Sequence, residues 1–164
     1  MSTFLRNLRP LADSSQEYGV TIALEVYGDL MSTGRMAADV IGTIDHPAVR
    51  MIYDTANCKT YGGIWAHEND DLLCAIPLLA NLHLKDELGG EEDLHFPPIG
   101  EGNVDFAGVL STLERGAYKG PLSIEIEYDN GVWPDRDVID SGVSSSVAHI
   151  RTLLTATGAS AHGE

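Results

Sequence analysis

Apolar residues follow two different rhythms along this chain. Four short runs are dense in apolar side chains and read as strands: VTIALEVY (20–27), VRMIYDTAN (49–57), NLHLKD (81–86) and GPLSIEIEY (120–128). Between them the apolar positions recur every three or four residues, which predicts helices. The first covers 3–18, with Phe4, Leu5, Leu8 and Leu11 on one side and Gly19 ending it. A second starts near Thr33 and runs through GRMAADVIGTI. A third covers 67–80, where Pro77 must bend or end it. Asp105 is placed to cap a helix over 106–116 that Gly116 closes, and a last helix spans about 136–156 before a frayed tail.

Helix and strand alternating four times, with such apolar strands, predict an α/β fold: a parallel sheet covered by helices. No GxGxxG follows the first strand, which argues against a dinucleotide site. The loop at 87–104 is long and rich in Gly and Pro, a pattern typical of functional loops.

Period two in a strand separates its faces. In NLHLKD, Leu82 and Leu84 share one face while His83 and Lys85 share the other. Each remaining strand also carries an ionisable residue near its C-terminal end: Glu25, Asp54 and Glu125. A carboxylate or imidazole on an inner strand is costly to bury unless paired or bound to a metal. One such residue would mean little, but one per strand at the same end marks the ligand-binding end of a parallel α/β sheet. Two Glu, one Asp and one His form a hard donor set. It suits Mn²⁺, Mg²⁺, Co²⁺ or Zn²⁺ and leaves positions open for substrate oxygens.

At 164 residues and 43% apolar, the chain fits one domain spanning 1–164. The formal charge of −15 argues against a nucleic-acid partner, and no apolar run reaches the ~20 residues of a membrane span. With no signal-like apolar start, and with Cys58 and Cys74 outside any CxxC spacing, free thiols and a cytoplasmic location are expected.

In order, IALE, YDTAN, HLKD, GEGNVDF and GPLSIE resemble the sugar phosphate isomerase/epimerase family, whose members share a xylose isomerase-like (β/α)8 TIM barrel. The resemblance runs from about residue 5 to 155. It implies that Glu25, Asp54, His83 and Glu125 hold one divalent metal, with Glu127 on the same strand face as the substitute for Glu125. It also implies that Glu25 and Glu125 act as acid and base on a sugar or sugar phosphate, through an enediolate. Lys85 is expected at the substrate or in solvent. Asn57, Asp93 and His95 are further substrate-side candidates, the last two with a loop-packing alternative. Tyr61 and Trp65 are candidates for pocket walls, and His67 and His149 have no evident partner.

A full barrel has eight strands in about 250 residues. Four β/α units resemble its C-terminal half, so the chain is expected to be a fragment or to be completed by a complementary N-terminal half-barrel, with a homo-oligomer as the less favoured alternative. Other readings are an inosose dehydratase-like lyase and a non-catalytic half-barrel that serves as a binding module. Least favoured is an apurinic-site endonuclease-like hydrolase. Asp93 and His95 are spaced like that branch's Asp-x-His, but Asn57 stands where it has a histidine.

Overall fold

The computed structural model describes residues 2–62, 68–89, 94–128 and 132–156. Its elements in chain order are α1 (Ser2–Glu17), β1 (Ile22–Glu25), α2 (Gly34–Ile44), β2 (Val49–Asp54), α3 (Thr55–Gly62) and α4 (Glu68–Ala75). A 3₁₀ turn (Ile76–Leu78) then leads into β3 (Leu79–Leu84), α5 (Phe106–Arg115), β4 (Leu122–Ile124) and α6 (Arg136–Ala156). The four strands form one sheet in the order β1-β2-β3-β4, and every pairing is parallel.

Each strand turns its apolar alternate residues toward the helices. Val49, Met51 and Tyr53 of β2 and Leu82 and Leu84 of β3 are buried there, joined by Ile41 and Ile44 of α2, Leu72 of α4 and Leu110 of α5. Each fully buried leucine of this layer contributes roughly 1.5–3 kcal/mol. The opposite face carries Arg50, Ile52 and Asp54 on β2 and Asn81 and His83 on β3, so the polar residues are gathered on one side.

Local signals explain most boundaries. Thr33 accepts a bond from Met36 N and starts α2, and Asp45 ends it in the left-handed region at φ 48°. Asp105 accepts from Gly108 N at 3.0 Å and caps α5 as expected. Pro77 does end the third helix: it sits in the 3₁₀ turn, and β3 begins at Leu79, two residues earlier than expected.

The second strand differs from expectation. It stops at Asp54, and Thr55–Gly62 forms α3 instead of continuing the strand. The cause is the side chain of Asp54, which accepts from Asn57 N at 2.7 Å and caps a new helix. The fourth strand is also shorter, although Glu125 N still donates to Leu84 O at 3.0 Å. Among the described residues, no helix is long and apolar enough to cross a membrane.

Candidate metal centre

Parallel strands present their C-terminal ends together, and here these ends carry the four residues singled out by the strand pattern. Asp54 and His83 face each other in register on β2 and β3. Glu25 pairs with Ile52, two positions short of Asp54. Glu125 lies beyond β4, level with the residue two past His83. The two flanking positions therefore need the longer glutamate, and the two central ones take the shorter Asp and His.

The side chains converge. One ligand atom from each of Glu25, Asp54, His83 and Glu125 lies within 4.8 Å of all the others. His83 Nδ1 is 2.6 Å from Glu125 Oε2, 3.1 Å from Glu25 Oε1 and 3.9 Å from Asp54 Oδ2. Asp54 is 0% exposed, and its Oδ2 has no hydrogen-bond partner among the described residues. Burial, aided by the charges of Glu125 and Glu25, pushes its carboxyl up to about 7 against the opposing pull of Lys85 and the Asn57 N–H. An orphaned, buried carboxylate oxygen among two more carboxylates and an imidazole fits a hard divalent cation. These four residues would hold it, with His83 presenting Nδ1.

Around them lies a second ring. Lys85, 3% exposed, donates from Nζ to Asn57 Oδ1 at 3.3 Å and to Glu125 Oε1 at 3.3 Å. It also pairs with Glu127 Oε2 and stands 4.4 Å from the Phe96 ring centroid. Burial opposes its charge, but the carboxylates of Asp54, Glu127 and Glu125 outweigh burial and raise its pKa. Asn57 also donates from Nδ2 to Val26 O at 3.1 Å. Glu127 thus reaches Lys85, while Glu125 is the one of the two that meets His83.

Strand alternation did not reveal Asp86. It is 1% exposed, and its carboxylate accepts four backbone N–H bonds: Glu87 and Val104 on Oδ1, Gly100 and Gly102 on Oδ2, each 2.9–3.0 Å. It clamps the GEG stretch over the strand ends, and a Cβ at Gly102 would collide with it. Gly100 adds a φ of 98°, which favours glycine. Ser146 of α6 holds the same loop by accepting from Ile99 N at 2.9 Å. The only available sign was the pairing of an Asp after the strand with a Gly-rich run further on.

His95 is half-buried in that loop, where its carbonyl accepts from Leu88 N. Asp93, Trp65 and His67 lie outside the described residues. Tyr61 packs edge-on against Tyr27 with centroids 4.9 Å apart, and burial with Tyr27 pushes its hydroxyl up to about 12. His149 packs against Phe106 and over Gly100. Cys58 is buried and Cys74 exposed, both free thiols.

Residues 1–151 match the family model described as xylose isomerase-like TIM barrel. The chain belongs to that family. It is 29% identical over 123 residues to the uncharacterized protein MJ1311 of Methanocaldococcus jannaschii, which covers 72% of this chain and 41% of that protein. Among solved structures it resembles a D-allulose 3-epimerase from Methylomonas sp., with TM-score 0.73 and 21% identity, over 92% of this chain and 54% of that one. It also resembles the IOLI protein with a binding zinc atom, with TM-score 0.71 and 21% identity, over 91% of this chain and 55% of that one. The chain spans about half the length of the solved structures it matches. The four parallel strands among its described residues are half the number in a (β/α)8 barrel.

Proposed function

We propose that this chain supplies the metal-holding half of a sugar isomerase or epimerase site. The carrying observation is the convergence of Glu25, Asp54, His83 and Glu125 at one end of the sheet. The likeness to a sugar epimerase fold and to a zinc-binding protein supports the reading. When bound, a divalent cation supplies Lewis acidity that polarises a carbonyl and acidifies the adjacent C–H.

The rest falls to the chain's own groups. Glu25 keeps a partly exposed side chain beside His83 and is placed to take a proton from a sugar carbon. Glu125, on the far side of His83, is the group that returns one. Asp54 stays a buried anion in the ligand set, and His95 and Asp93 are kept as substrate-side candidates. The free edges of β1 and β4 are closed by a second four-stranded half, from another copy of this chain or a separate segment.

The test is deuterium incorporation next to the carbonyl of ketohexoses, followed by proton NMR in D₂O with Mn²⁺. Glu25→Gln and Glu125→Gln are each expected to lower the exchange rate by about 10²–10⁴-fold. Exchange that survives in both variants contradicts the two-carboxylate scheme.

A further inference from the structure

We propose that the side chains of Asn57 and Lys85 form a buried strut that orients Glu125 for the cation, beside the Asn57 N–H that fixes Asp54, the two acting as positioning residues and not as substrate contacts. The proposal rests on the metal-centre reading above.

Both residues are fully engaged. Asn57, 3% exposed, donates its N–H to Asp54 Oδ1 and its amide Nδ2 to Val26 O, and it accepts from Lys85 on Oδ1. The ammonium of Lys85 has three hydrogens and three oxygen partners, on Asn57, Glu125 and Glu127, and the Phe96 ring lies beside it. The backbone of Lys85 is held as well: its N–H donates to Thr55 Oγ1 at 3.0 Å, and that hydroxyl donates to Lys85 O at 2.7 Å.

These contacts leave Asp54 and Glu125 one oxygen each for the centre. Asp54 Oδ1 is committed to Asn57, so Oδ2 faces the cluster. Glu125 Oε1 is committed to Lys85, so Oε2 faces His83 at 2.6 Å. Charge follows the same pattern. Three ligand carboxylates outweigh a divalent cation by one negative charge, and the buried ammonium, shared between Glu125 and Glu127, offsets part of that excess. Because Asn57 links the residues just past β1 and β3, Val26 and Lys85, with Asp54 at the end of β2, it also sets the spacing of the strand ends that carry the ligands.

The experiment is Mn²⁺ titration of the full chain by calorimetry, with far-UV circular dichroism and thermal melts on the same samples. Asn57→Ala, which removes the side-chain links to Val26 and Lys85 and keeps the N–H bond to Asp54, and Lys85→Met are each expected to raise the Mn²⁺ Kd by about 10–100-fold. Asp71→Asn is the control for general destabilisation. Asp71 is buried on the helix-covered side, where it accepts from Gly34 N, Arg35 N and the Tyr53 hydroxyl. That variant is expected to lower the melting temperature and leave the Kd within about twofold of the parent. The strut is overturned if folded Asn57→Ala and Lys85→Met bind Mn²⁺ like the parent, or if Asp71→Asn weakens binding as much as they do. A parent chain that binds no Mn²⁺ overturns the metal centre itself, a separate and recognisable result.

Discussion

Asp54→Asn is expected to make the metal-free protein more stable while removing its metal affinity. Asp54 is fully buried with one oxygen unpartnered, so its charge is costly in the absence of a cation. Its folded carboxyl titrates at about 7 against an ordinary 3.8, chiefly through burial. A raised carboxyl pKa means the folded state holds its proton while the unfolded chain has released it. Stability therefore falls as pH rises from about 4 to about 7, and stays at the lower level above that. Asparagine keeps the shape and the acceptor for Asn57 N but has no charge to bury. Above pH 7 the variant should be more stable by on the order of 2–4 kcal/mol, with no gain below pH 4. Its Mn²⁺ Kd should rise by at least about 100-fold. Thermal melts across pH in the presence of a chelator, paired with Mn²⁺ titration, check both halves. Equal melting at pH 8 would show that the buried charge is already compensated.

Asp86→Ala is expected to have the largest effect on stability alone. Four backbone N–H groups converge on this one carboxylate, and removing it strands donors in a partly buried loop. With about 1–3 kcal/mol for each buried donor left unpaired, the loss should exceed about 3 kcal/mol even after water satisfies some of them. Asp86→Asn should restore only part of it, because its amide nitrogen cannot accept. Gly102→Ala attacks the same clamp from the other side, since its Cβ would meet the Asp86 carboxylate. Urea unfolding measures the cost, and limited proteolysis between Glu87 and Val104 shows whether the loop has been released. A loss below about 1 kcal/mol for Asp86→Ala would show that the clamp is not what holds the loop.

Strand alternation made the convergence of Glu25, Asp54, His83 and Glu125 legible in the sequence, because period two puts them on faces that a parallel sheet brings together at one end. The positions of α2, α5 and α6 follow from cap residues and helical spacing in the same way. What escaped is where a side chain answers a distant backbone. The three residues after Asp54 read as strand because the apolar run continues, yet an Asp three residues before Asn57 is also a helix cap, and that local bond won. Asp86 could not be assigned a role, since three of its four partners lie 14 to 18 residues further on in an irregular loop. Lys85 fell correctly on the polar face. Only packing against Asn57, Glu127 and Phe96 decides that its ammonium is enclosed.

Everything proposed for this chain depends on four side chains sharing a single ion. The direct measurement is anomalous diffraction at the manganese edge from crystals of the full chain grown with Mn²⁺. One peak per chain within bonding reach of the Glu25, Asp54 and Glu125 carboxylates and His83 Nδ1 is the predicted result. A map with no peak there, at Mn²⁺ concentrations that fill other sites, would contradict it.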